Sequence, residues 1–156
     1  MKTALVTGGG AGMGKATSLR LARDGYSVGV LDINGADAQL VAEQIVAAGG
    51  KAVAVTADIG DRGQIEAGVA EVRTALGPIT ILINNAAVEN FTPFADIEDA
   101  LWDRLMNINL KGTYRVTQSV LPDMIAGAQS ARPRNAQPRN ANGRNGKRDG
   151  ANCLDY

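Results

Sequence analysis

Histidine is absent from this 156-residue chain, and cysteine occurs once, as Cys153. Without histidine there is no imidazole to bind zinc or to act as a general base, so the sequence excludes zinc sites and His-based catalytic triads, and we expect no metal site. One cysteine cannot form an internal disulfide, which is typical of proteins in a reducing compartment. We therefore expect a cytoplasmic protein.

Long apolar runs are also missing. The longest contain four or five residues, although 45% of the chain is apolar. Such runs are too short to cross a bilayer, and Met1–Thr3 leads into the first motif without a signal-peptide core. We expect no membrane segment and no membrane partner.

The net charge of zero conceals two compositional parts. Residues 1–127 hold ten Lys or Arg against fourteen Asp or Glu, whereas residues 128–156 hold six against two. The second part repeats imperfect five-residue units such as RPRNA and QPRNA and has almost no large apolar side chains, so it cannot offset chain entropy by burial. We predict a folded domain over 1–127 and a disordered basic tail over 128–156. The tail lacks interleaved aromatic residues for base stacking, which argues against a nucleic-acid partner.

The most informative segment is a glycine cluster directly after the apolar run Ala4–Val6. A strand, a tight turn and a helix N-terminus in that order aim free N–H groups and a helix dipole at one spot, which stabilises an anion. Gly8 permits the sharp turn out of the strand, Gly12 allows a pyrophosphate to approach the backbone, and Gly14 allows the helix to pack closely on the strand. The predicted phosphate cradle comprises Thr7, Gly8, Gly12, Met13 and Gly14.

Asp32 ends the second predicted strand, 18 positions after Gly14. An acidic residue there holds the adenosine ribose through its 2′-hydroxyl in dinucleotide folds and favours NAD over NADP. The alternative is an exposed strand-end residue or part of the cap of the next helix. A P-loop is a competing interpretation of the glycines, but it requires Ser or Thr where Ala16 stands.

The remaining chain alternates strands and helices. Strands are predicted at Ser27–Leu31, Lys51–Thr56 and Ile79–Ile83, and apolar residues at helical spacing separate them. This pattern predicts an α/β fold: a doubly wound, Rossmann-like parallel sheet in the order 3-2-1-4. Two helices, from about Asp96 to Asn107 and from Leu110 to about Ala126, should follow the fourth strand.

Together these motifs resemble the short-chain dehydrogenase/reductase family over residues 1 to about 127. They occur in the family's order: Thr7-Gly8-x-x-x-Gly12-x-Gly14, Asp32, Asp58-Ile59, Asn84-Asn85-Ala86-Ala87 and Asn107–Gly112. The resemblance implies that Asp58 and Ile59 contact the adenine edge, that Asn85 and Ala86 line the nicotinamide-side ribose, and that Asn109 is the Asn of the catalytic tetrad. Ala87 departs from the family's usual glycine.

Each implied role has a structural alternative. Asp58 could begin the capping sequence of the helix after Asp61, and Asn84-Asn85 could form an ordinary strand-end turn. Asn109 could be a helix-interior break that bonds nearby carbonyls.

The family's Tyr-x-x-x-Lys pair and its substrate-binding Ser strand are missing from this sequence. Four residues after Tyr26 and Tyr114 stand Val30 and Gln118, and Tyr156 is the last residue. A free tyrosine, with a pKa of about 10, needs a nearby cation to exchange protons near neutrality. The resemblance implies an NAD-dependent oxidoreductase that acts on alcohols or carbonyls. We expect the chain to be truncated after the fourth strand and the helices that follow it, and a frameshift is one hypothesis for the truncation. We expect the truncated chain to be inactive alone. The alternative is a non-catalytic dinucleotide-binding module.

The resemblance also implies an oligomer. The family commonly dimerises through the helix here predicted from Leu110 to about Ala126, so a homo-oligomer is expected. We predict that the apolar stripe Val116, Val120 and Met124 loses cover in this chain and that the fourth strand forms an exposed sheet edge.

Overall fold

The computed structural model describes residues 2–130. The predicted tail from residue 131 onward lies outside the described residues. Within the described part, no helix is both long and apolar enough to cross a membrane.

Four parallel strands form one sheet in the order β3-β2-β1-β4, which confirms the predicted α/β fold and strand order. Each of the first three strands is followed by a helix that returns the chain to the start of the next strand. The elements are β1 Thr3–Thr7, α1 Gly12–Arg23, β2 Ser27–Asp32, α2 Gly35–Ala47, β3 Ala52–Thr56, α3 Arg62–Leu76 and β4 Ile79–Ile83.

The sheet separates two apolar layers. On one face, Leu5 and Leu31 pack with Ile65 and Val69 of α3. On the other face, Val6 and Val30 pack with Val41 and other residues of α2. Because neighbouring strand residues point to opposite faces, the central strands must be apolar throughout, which explains their continuous apolar runs.

Between Phe94 and Ser130 the chain is mostly helical, as predicted, but the helices are divided differently from the prediction. A short 3₁₀ turn at Phe94–Asp96 precedes α4 (Asp99–Leu105), a π-helical segment (Met106–Gly112) and α5 (Thr113–Ser130), and these last three are continuous. The prediction of two separate helices, the first starting near Asp96, is therefore wrong. The π-helical turns absorb the asparagine-rich segment without ending the helix. The helix also extends to Ser130, past the predicted domain boundary at 127.

The predicted loss of cover on the last helix is wrong for Val116 and Val120. Both are 0% exposed, because they pack against the α3 face of the sheet with Val72 and Ile79. The exposed apolar residues of this helical stretch lie on another face and include Leu110, Tyr114, Leu121 and Ile125.

Candidate functional site

A cleft of about 240 Å³ opens where the four strands end. Every strand contributes wall residues from the turn that follows it, as expected for ligand sites of open α/β sheets. The π-helical segment contributes Ile108. The lining residues are Gly8, Leu31, Asp32, Ile33, Ala57, Asp58, Ile59, Asn85, Ala86, Ala87, Val88 and Ile108.

The glycine turn between β1 and α1 forms one end of this cleft. Gly8 and Gly12 have positive φ values of 61° and 50°, which explains why glycine is favoured at both positions. A Cβ on Gly14 would collide with the Gly8 carbonyl, whereas a Cβ on Gly12 would meet no protein atom within 4 Å. The turn is therefore closed where α1 packs on it and open at Gly12, the position predicted to admit a pyrophosphate.

Helix α1 has no side-chain cap, because its N-cap residue is Ala11. By contrast, Asn34 caps α2 by accepting from the Asp37 N–H, and Asp61 caps α3 by accepting from the Gln64 N–H. An uncapped first turn leaves backbone donors for an anion. Met13, in this turn, is exposed.

The geometry at the start of α1 does not support the P-loop interpretation. The Thr17 hydroxyl donates to the Met13 carbonyl at 2.8 Å and is thus used within α1. Helical threonines commonly form such a bond to the preceding turn.

Asp32 connects the end of β2 to the glycine turn. Its Oδ2 accepts from the Gly10 N–H at 2.9 Å, and its Oδ1 accepts from the Asn34 N–H at 3.0 Å. The cap of α2 is Asn34 rather than Asp32. A carboxylate has about four acceptor positions, so Asp32 retains capacity toward the cleft after these two bonds.

Sequence reasoning missed Gly9 and Gly10. The Gly9 N–H donates to the Leu31 carbonyl at 3.0 Å, and this bond fixes the turn against β2. A Cβ on Gly10 would lie 2.9 Å from Asp37 Cβ and 3.0 Å from Asp32 Oδ2. The uninterrupted run of three glycines was the available signal for this close approach.

Asn85 and Thr7 fasten the end of β4 to the end of β1. The Asn85 side-chain amide donates to the Thr7 and Gly8 carbonyls, both at 3.1 Å. The buried Thr7 hydroxyl accepts from the Asn85 and Ala86 N–H groups, also at 3.1 Å. Asn85 is therefore more than a turn residue, because its side chain joins two strands beneath the cleft.

The turn after β3 carries Asp58 and Ile59. Asp58 Oδ1 accepts from the Gly60 N–H at 2.7 Å, and the Asp58 N–H donates to Gln64 Oε1 at 3.0 Å. The side chain that caps α3 is that of Asp61, whereas Asp58 lines the cleft. Ile59 is 5% exposed and forms an apolar wall.

Asn109 lies in the π-helical segment and pairs with the loop after β4. Its Oδ1 accepts from the Val88 N–H at 2.9 Å, and its Nδ2 donates to the Val88 carbonyl at 2.8 Å. Its side chain thus bonds another segment of the chain, not the carbonyls of its own helix. Because Val88 lines the cleft, Asn109 fixes that wall.

A family model described as short chain dehydrogenase matches residues 2–132. This chain belongs to the short-chain dehydrogenase family. Over 131 residues it is 38% identical to the sorbitol dehydrogenase of Cereibacter sphaeroides, covering 84% of this chain and 50% of that protein. Oxidoreductase UcpA of Escherichia coli K12 is 37% identical over 125 residues, covering 80% of this chain and 47% of UcpA.

The fold agrees with solved structures of this family. One is a metagenomic short-chain oxidoreductase in complex with NADP, which has a TM-score of 0.76 and 34% identity and is matched over 81% of this chain and 57% of that chain. The 156-residue chain itself spans about half the length of the curated relatives it matches.

Proposed function

We propose that this chain carries the dinucleotide-binding domain of a short-chain oxidoreductase and prefers NAD(H) to NADP(H). The observation that supports this most directly is the bond from the Gly10 N–H to Asp32 Oδ2, which holds a carboxylate beside the glycine turn at the cleft. The cofactor would supply hydride transfer to or from an alcohol or carbonyl carbon.

The glycine turn fits a pyrophosphate. The open space above Gly12 and the uncapped start of α1 leave room and backbone donors for two phosphate groups. On this proposal Thr7 and Gly14 keep the turn in place, while Gly8, Gly12 and Met13 face the ligand.

Asp32 favours NAD(H) because its negative charge would accept hydrogen bonds from a ribose but repel a 2′-phosphate. NADP(H) is the alternative cofactor to consider, because one solved relative is in complex with NADP. Lys15, half-buried in the first turns of α1, is the basic residue closest in sequence to the turn.

The other cleft residues are assigned by their positions. Asp58 and Ile59 are proposed to hold the adenine, and Asn85 and Ala86 to shape the site of the nicotinamide-side ribose. Asn109 is proposed to act through Val88, whose backbone it holds on both sides.

The Tyr-x-x-x-Lys pair that would transfer the proton is missing from this sequence. Tyr114 lies on an exposed face of α5 and is followed four residues later by Gln118, where the Tyr-x-x-x-Lys pair has a lysine. We therefore propose that these 156 residues bind a dinucleotide without turning over substrate.

Calorimetric titration with NAD+ tests this proposal. Gly12 and Gly49 form a matched pair, because both have positive φ and neither would bring a Cβ within 4 Å of protein. Gly12→Ala should weaken NAD+ binding at least about tenfold, while Gly49→Ala, which follows α2 far from the cleft, should bind as the wild type does. Absence of NAD+ binding by the wild-type chain would overturn the proposed function.

A further inference from the structure

Gly60 is held from both sides. Its N–H donates to Asp58 Oδ1 at 2.7 Å, and its carbonyl accepts from Arg115 Nη1 and from Asn107 Nδ2, the latter at 3.3 Å. Arg115 Nη1 also donates to Asn107 Oδ1 at 3.2 Å. These bonds connect α5 and the π-helical segment to the turn after β3.

The arginine is committed to this turn. In the part of the chain that the structure describes, Arg115 forms no ion pair with a carboxylate, and its bonded partners are a backbone carbonyl and an amide oxygen. A half-buried guanidinium held in this way gives charge-assisted bonds, which are stronger than neutral ones. The peptide after Gly60 is thereby fixed in orientation.

The orientation of Asp58 depends on the other peptide of Gly60, the preceding one, which carries the Gly60 N–H. Because Asp58 Oδ1 accepts from Gly60, the position of Gly60 sets the plane of the carboxylate, and Oδ2 remains available toward the cleft. A Cβ on Gly60 would lie 2.9 Å from Asn107 Nδ2 and 3.1 Å from Asp58 Oδ1, so the three residues are in close contact. The chain of contacts therefore runs from Arg115 to Asn107 and Gly60, and then to Asp58.

We infer that Arg115 and Asn107 are positioning residues for adenine recognition: they fix Gly60 so that Asp58 Oδ2 faces the amino group of the base. This inference rests on the proposed dinucleotide site. The amino group is the donor that matches a free carboxylate oxygen. Neither Arg115 nor Asn107 touches the cofactor on this account, since neither lines the cleft.

The test compares NAD+ with nicotinamide hypoxanthine dinucleotide, in which oxygen replaces the adenine amino group. Calorimetry on the full chain should show the wild type binding NAD+ about tenfold more tightly, because the analogue places an acceptor against a carboxylate. Arg115→Met keeps most of the side-chain length but removes the donors, and it should reduce the ratio of the two affinities toward one. Arg104→Met, an exposed arginine on α4, is the matched control and should leave the ratio unchanged.

A double-mutant comparison separates positioning from general destabilisation. Asp58→Ala should remove the discrimination by itself, and adding Arg115→Met should then have no further effect on the ratio. Asn107→Ala provides a second, independent disruption and should also reduce the ratio. Thermal unfolding of each variant identifies those that remain folded.

The outcomes distinguish the two proposals. If folded Arg115→Met or Asn107→Ala keeps the wild-type ratio, the positioning role is wrong and the dinucleotide site stands. If the wild type binds both dinucleotides equally, adenine recognition by Asp58 is wrong and the inference fails with it. If the wild type binds neither, the proposed function itself is overturned.

Discussion

Arg73 of α3 and Asp123 of α5 form an ion pair, with 2.8 Å between Nε and Oδ2. The same Oδ2 accepts from the Ile79 N–H at 3.0 Å, and Arg73 Nη2 donates to the Ser119 carbonyl at 2.6 Å. Two helices and the first residue of β4 thus meet at one carboxylate. This junction fixes α5 on the sheet and with it the π-helical segment that borders the cleft.

The ionisation of Asp123 should contribute to stability in a defined pH range. Partial burial raises the pKa of Asp123, but the hydrogen bonds from Arg73 and the Ile79 N–H and the positive charge of Arg73 outweigh it and hold the pKa below its ordinary value of 3.8. Because the folded-state pKa is the lower one, the contribution is present above the unfolded-state pKa and is lost as the pH falls through the folded-state value.

Asp123→Asn should therefore lower the free energy of unfolding by about 1 kcal/mol at neutral pH. The difference from wild type should shrink as the pH falls below about 4. Urea unfolding followed by circular dichroism across this pH range measures it. Asp24→Asn, which removes an exposed partner of Arg20, is the control and should change stability much less. A difference that is constant with pH would contradict the assignment to the charged carboxylate.

The preference for NAD(H) depends on Asp32. Asp32→Ala should reduce the ratio of NAD+ to NADP+ affinity by about tenfold, because it removes both the acceptor for the ribose and the charge that repels a 2′-phosphate. Calorimetric titration with each dinucleotide measures the ratio. Asp24→Ala removes the same charge outside the cleft and should leave the ratio unchanged. Tighter binding of NADP+ than of NAD+ by the wild type would show that Lys15 or another group outweighs Asp32.

Gly14 should be needed for folding rather than for binding alone. Gly14→Ala places a Cβ on the Gly8 carbonyl, a backbone atom that cannot move without shifting the glycine turn, so a loss of about 2 kcal/mol or more in the free energy of unfolding is expected. Gly12→Ala meets no protein atom and should cost only about 1 kcal/mol, from its positive φ. Chemical denaturation of both variants tests this order, and equal losses would show that the turn relaxes around Gly14.

The 156-residue chain should show no steady-state dehydrogenase activity. General acid–base catalysis contributes about 10² to 10⁴-fold, and this sequence holds no Tyr-x-x-x-Lys pair to supply it. The measurement is NADH oxidation with small ketones, followed by absorbance. Activity that Gly12→Val abolishes would mean that a catalytic group in this chain has been overlooked.

The strands, their order and the glycine turn could be predicted because their signals are local. Apolar runs bounded by glycine and acidic residues mark β1 and β2, and helical spacing of Ile65, Val69 and Val72 marks α3. Chain order and the right-handed crossover then determine the sheet. The same pattern also predicts that Asp32 lies at the end of β2.

The π-helical segment could not be predicted, because its residues are held by distant parts of the chain. Asn107 and Asn109 read locally as helix breakers, but their side chains bond Gly60 and Val88, 47 and 21 positions away. A Cβ added to Gly112 would lie 2.8 Å from the Ile59 carbonyl oxygen, a contact that only the folded chain reveals. Tertiary bonds of this kind override local propensity.

Self-association is the last expected property. β4 forms one edge of the described sheet, and Leu110, Tyr114, Leu121 and Ile125 expose apolar surface on the neighbouring helices. Exposed sheet edges and contiguous apolar surface both favour association. Light scattering coupled to size exclusion should therefore show a mass that rises with protein concentration.

Leu121→Lys combined with Ile125→Lys should shift this equilibrium toward monomer, because each substitution puts a charge on the α5 surface. Leu40→Lys with Val46→Lys is the matched control: both residues are equally exposed at 55%, but they lie on α2. If the control pair dissociates the protein as well as the α5 pair does, association is driven by net charge and not by the α5 face. A wild-type chain that stays monomeric at every concentration would exclude association through either the edge strand or this helix.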